Sequence, residues 1–89
     1  MASKAVGMAE AWVELPNGER LHLKYSTWTG RLRVYHMGNE MANLGLTGGI
    51  AVFNIGLIRV EVESRLTVWA TCEVTVRANG NIILRRRFL

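Results

Sequence analysis

Eighty-nine residues are enough chain for one domain and too little for two. With 49% apolar and 20% charged residues, the composition is that of a globular protein with one core. Net charge is +4, which suits an anionic or acidic partner, and the lone cysteine, Cys72, excludes an internal disulfide framework.

Asp and Gln are absent, against seven Glu, nine Arg and two Lys. No signal peptide, glycosylation acceptor or prenylation motif is visible, so the expected location is cytoplasmic. Residues 1–8 read as a flexible arm on a single β domain spanning 1–89.

Period two governs the chain, as in half-buried strands. Ala9 to Leu15 forms a short strand that ends at the turn Pro16-Asn17-Gly18. Arg20 to Tyr25 alternates next, followed by Arg31 to His36 and a turn over Met37-Gly38-Asn39-Glu40. A four-residue loop, Thr27 to Gly30, pairs Tyr25 with Leu32 and Leu23 with Val34. The eighteen residues from Met41 to Ile58 carry no charge, the lower length limit of a membrane-spanning helix. Their glycines and asparagines favour buried β-structure instead, with Gly48-Gly49 a turn and Ile50 to Ile55 covered on both faces. Gly56 marks a bulge or bend before the alternating run Arg59 to Glu63.

The strongest alternation runs from Leu66 to Val76, with Leu66, Val68, Ala70, Cys72, Val74 and Val76 on one face. A single strand of that length spans about 36 Å, as long as so small a domain is wide. It must bend, bulge or reach into a partner. Beyond it, a three-residue loop Ala78-Asn79-Gly80 sets Val76 beside Ile82, Val74 beside Leu84 and Glu73 opposite Arg85. The expected fold is all-β, a small antiparallel sandwich or partly open barrel of six to eight strands.

Catalytic chemistry finds little to work with. His22 and His36 fall on opposite faces of their hairpin, so they cannot share a metal ion, and Cys72 faces inward as a structural thiol. Glu61 and Glu63 alternate with Val60 and Val62 on a solvated face. Gly45-x-x-Gly48-Gly49 lacks the Lys-Ser/Thr ending of a phosphate loop. No catalytic residue, metal or other cofactor is inferred.

One constellation stands out. His22, Lys24, Trp28, Arg31, Arg33 and Tyr35 gather cations and aromatic rings on one hairpin face, with Trp28 at the loop tip. Cations neutralise phosphates while rings stack on bases, the usual means of holding single-stranded nucleic acid on a β-surface. Nothing after Glu73 is acidic, so Arg85, Arg86 and Arg87 make a second positive patch. The favoured reading is a non-catalytic module that binds another protein or a second copy of itself, or that regulates a larger complex. RNA or DNA binding through the basic-aromatic hairpin is the alternative.

The order of segments adds a family likeness. Trp12 precedes the turn at Asn17-Gly18 and the alternating strand to Tyr25. The run Gly30-Arg31-Leu32-Arg33-Val34-Tyr35-His36-Met37-Gly38-Asn39-Glu40 follows. Later come Phe53-Asn54-Ile55-Gly56 and Val74-Thr75-Val76 leading into Asn79-Gly80. Over about residues 12–84 this resembles the β-sandwich domain of the Fas apoptotic inhibitory molecule family. Trp28 stands where the family has a histidine, and Met37 replaces its acidic turn residue. The resemblance implies a non-enzymatic sandwich acting through protein contacts and transfers no functional residue.

Overall fold

The computed structural model describes residues 8–67 and 71–88, and over them the chain is all-β. Eight strands follow one another: β1 (Met8–Glu14), β2 (Arg20–Ser26), β3 (Arg31–His36), β4 (Asn39–Leu44), β5 (Gly49–Ile55), β6 (Ile58–Leu66), β7 (Cys72–Ala78) and β8 (Asn81–Phe88). They form two antiparallel meanders, sheet A in the order β1-β2-β3-β4 and sheet B in the order β5-β6-β7-β8. The expected arm over residues 1–8 lies outside the described residues except for Met8, which opens β1. Among the described residues, no helix is long and apolar enough to cross a membrane.

The sheets are stacked because each has one apolar face. Leu21, Leu23, Leu32 and Val34 of sheet A are fully buried, as are Val60, Val62, Val74 and Val76 of sheet B, in one shared core. Tyr25 of sheet A stacks on Phe88 of sheet B with ring centroids 5.4 Å apart, tying the layers at one end. The molecule measures 35 × 32 × 18 Å, and the short axis is the thickness of two packed sheets.

The β2–β3 hairpin has the expected register, with Leu23 paired to Val34 and Tyr25 to Leu32. Its Thr27–Gly30 loop closes with the Gly30 N–H donating to the Ser26 carbonyl at 2.7 Å. Gly30 has φ +70°, and Leu46 from the β4–β5 connection occupies the space a Cβ would need. The first turn is also as expected. The Leu15 N–H donates to the Glu19 carbonyl at 2.7 Å across Pro16-Asn17-Gly18.

Four expectations need correction. The run from Leu66 to Val76 is two strands, because Leu66 ends β6 and pairs with Cys72, the first residue of β7. Between them the Thr67 N–H donates to the Thr71 carbonyl at 2.8 Å, and the two hydroxyls hydrogen-bond. Val68 and Ala70, placed on that strand by sequence, lie outside the described residues, as does Trp69. Alternation continued through the turn because no Gly, Pro or Asn interrupts residues 66–71.

The β7–β8 hairpin has a two-residue loop, Asn79-Gly80, with φ +51° and +85°. Its register brings Val76 opposite Leu84, Val74 opposite Arg86, Thr75 opposite Arg85 and Glu73 opposite Arg87. The expected pairing is therefore displaced by two residues. A bulge at Ile83, between the pairs Arg77–Ile82 and Val76–Leu84, restores the phase that a two-residue loop otherwise loses.

Ile50 to Ile55 is covered on one face only. Ala51, Phe53 and Ile55 turn to the core, while Ile50 and Val52 remain 60% and 50% exposed on the outside of edge strand β5. Finally, the turn expected over Met37 to Glu40 contains only Met37-Gly38, and Asn39 and Glu40 already belong to β4. Gly56 likewise sits in a two-residue turn with Leu57, where it takes φ +61°.

Met37 exposes a strained position. It holds φ +51° in the β3–β4 turn and its side chain is 82% exposed, so it bears the left-handed backbone cost with little packing in return. Met37→Asn is expected to raise unfolding free energy by about 0.5–1 kcal/mol in urea denaturation, since Asn tolerates this conformation. An unchanged midpoint rejects the strain argument.

Candidate functional site

The outer face of sheet A is assembled by register. β1–β2 pairing puts Trp12 opposite His22 and Glu10 opposite Lys24; β2–β3 pairing adds Tyr35 beside His22 and Arg33 beside Lys24. One row across the sheet is therefore Trp12–His22–Tyr35, and the next is Glu10–Lys24–Arg33. Trp12 and His22 stack at 4.0 Å between centroids and within 3° of parallel. Glu10 Oε1 lies 2.7 Å from His22 Nε2 and fixes the imidazole on the indole. Lys24 Nζ sits over the Tyr35 ring, 5.5 Å from its centroid.

Lys24 and Tyr35 form a ridge between two shallow hollows. One, of about 370 Å³, is lined by Lys24, Ser26, Thr29, Arg31, Arg33 and Tyr35. The other, of about 390 Å³, includes Trp12, Arg20, His22, Lys24, Tyr35 and Met37. Arg31 Nη1 donates to Asn43 Oδ1 at 2.7 Å, an amide partner that leaves its charge uncompensated. Among the described residues, Arg20 and Arg33 meet no carboxylate.

All six hairpin residues read from sequence belong to this region, with Trp28 at the loop tip and 77% exposed. The sequence reading missed Trp12 and Arg20. Trp12 shows its face only once β1 is paired, although the outward period Glu10, Trp12, Glu14 carried the signal. His36 turns to the opposite face, where its Nε2 lies 2.5 Å from Glu19 Oε1.

Arg85, Arg86 and Arg87 lie elsewhere. They occupy β8, the edge of sheet B, and do not extend the sheet A surface. Beside them the outer face of sheet B is a lattice of opposite charges. Arg59 pairs with Glu61 at 3.3 Å, Arg77 with Glu63 at 3.3 Å and Arg65 with Glu73 at 3.2 Å. These exposed pairs order the face but contribute little stability each.

Among the described residues, no three His, Cys, Asp or Glu side chains gather to hold a metal. Cys72 is buried, and its Sγ lies 3.0 Å from Ser64 Oγ inside the core. Phe88 faces it across the strands. The thiol thus lacks the electropositive, open setting that activates a cysteine. No family model matches the sequence, and neither does any curated protein. The resemblance to the Fas apoptotic inhibitory molecule domain accordingly rests on turn glycines and strand alternation.

The buried end of the core carries a pH dependence. Burial pushes the Tyr25 phenol above its ordinary range, and nearby Cys72 pushes it the same way. As pH rises through about 10, the unfolded chain loses this proton while the folded chain keeps it, so stability falls there. Tyr25→Phe removes the contribution. Its stability in urea is expected to decline less than wild type between about pH 9 and about pH 11. Parallel declines for the two proteins reject the assignment.

Proposed function

We propose that the protein binds single-stranded nucleic acid on the outer face of sheet A. The supporting observation is the row of Trp12, His22 and Tyr35 across three strands, with Trp12 stacked on His22, beside Arg20, Lys24, Arg31 and Arg33, which form no ion pair among the described residues. Such a surface offers bases a stacking platform and phosphates a set of cations. Arginine predominates, which suits planar contacts with phosphates and bases.

Fluorescence anisotropy with short single-stranded RNA and DNA at low salt tests this. If the four cations each meet a phosphate, affinity falls with salt at a logarithmic slope of roughly −3. Trp12→Ala and Arg33→Ala are each expected to weaken binding about tenfold, the scale of one lost stack or charged contact. Absence of binding at low salt, or binding indifferent to both substitutions, rejects the reading.

Protein binding by self-association keeps one supporting observation, although the strand-length argument for it is gone. β5 is an edge strand without a charged residue, and Ile50 and Val52 are exposed along it. Two copies can pair β5 to β5 antiparallel without like-charge repulsion. Light scattering is expected to show a dimer that Val52→Lys converts to monomer. A wild-type monomer at high concentration removes this second reading.

A further inference from the structure

We propose that the free edge of β8 is a docking site for an extended acidic segment of another protein, which joins sheet B as a fifth strand. This does not rest on the nucleic-acid reading of sheet A.

Among the described residues, β8 pairs with β7 on one side and with no strand on the other. Half of its backbone hydrogen-bonding groups therefore face outward, the template that strand addition uses. The ladder on offer is short. The bulge at Ile83 interrupts it, leaving the regular stretch Leu84–Phe88. That stretch is held firmly at its far end, since Phe88 is buried and stacks on Tyr25.

The side chains of this stretch select charge. Arg85 and Arg87 project from the outer face, while Arg86 lies on the opposite face, its guanidinium 5.8 Å from the Phe88 ring centroid. All three are exposed. The carboxylates within reach are already committed, because Glu73, opposite Arg87, is held by Arg65, and Glu63 is held by Arg77. Thr75, opposite Arg85, has no charge to give. Among the described residues, the three arginines meet no acid.

Charge on an edge strand ordinarily prevents pairing, and here it does so selectively. A second β8 brought antiparallel across this stretch sets arginine against arginine. Nucleic acid offers phosphates but no amide ladder. An acidic strand offers both, with carboxylates at alternate positions facing Arg85 and Arg87.

The probe is a fluorescent peptide of about nine residues alternating Glu and Thr, added to the full chain at low salt. Controls replace Glu by Gln or place Pro at the centre, and inorganic polyphosphate is the competitor. Expected is binding weakened about tenfold or more by either control, with slowed hydrogen exchange along β8. The double substitution R85E/R87E is expected to abolish binding of the Glu peptide and create binding of a Lys–Thr counterpart, whereas Arg33→Ala leaves it unchanged. Failure of the wild-type protein to bind the peptide overturns the proposal. So does binding insensitive to proline and equally displaced by polyphosphate, which marks a simple anion patch. A shift in solution mass between wild type and R85E/R87E also overturns it, because a second copy then covers the edge.

Discussion

Among the described residues the two sheets share no backbone hydrogen bond, so the contact between their inner faces holds the fold together. Leu21, Leu23, Leu32 and Val34 meet Val60, Val62, Val74 and Val76, all fully buried. Each such side chain contributes about 1.5–3 kcal/mol of burial, which only stacking supplies. A lone four-stranded meander has nothing to lay this face against. The first half of the chain therefore depends on the second, even though each half hydrogen-bonds only within itself.

That division decides where chemistry can sit. A strand that buries alternate residues hands the others to solvent, and the two outer faces have diverged. Sheet B uses its outer acids to pair with its own arginines. Sheet A commits Glu10 to His22 and Glu19 to His36, and among the described residues Arg20, Lys24, Arg31 and Arg33 form no ion pair, although Glu14 stands opposite Arg20 and Glu10 opposite Lys24. Sheet A, with its connecting turns, balances Arg20, Lys24, Arg31 and Arg33 against Glu10, Glu14, Glu19 and Glu40, so the excess positive charge among the described residues lies in sheet B, at the β8 arginines.

Sequence revealed the parts of this that parity controls. The inward and outward residues of β2 and β3 follow from alternation, and a four-residue loop with Gly30 left one register that kept the faces consistent. The same parity placed His22 and His36 apart and Cys72 inward. It failed where phase and pairing separate. Leu66 to Val76 keeps one phase through a turn, so two strands read as one. At β8 the expected three-residue loop preserved the faces, but the chain reaches the same parity with a two-residue loop and a bulge, displaced by two positions. Exposure on β5 was hidden for another reason. Composition shows that Ile50 and Val52 are apolar but not that no layer covers them.

Preorganisation is what distinguishes the sheet A face from an ordinary solvated hairpin. A surface tryptophan or lysine usually samples several rotamers, and ordering one on binding costs about 0.5–1.5 kcal/mol. Here Trp12 is already flat against His22, His22 is anchored by Glu10, and Lys24 rests over Tyr35. Asn43 holds Arg31 in the same way from the neighbouring strand. Much of that ordering cost is met on folding, and all of these contacts except Lys24 on Tyr35 exist only because β1 and β4 flank the central hairpin. The site is therefore a property of the four-stranded sheet and not of the hairpin that first drew attention to it.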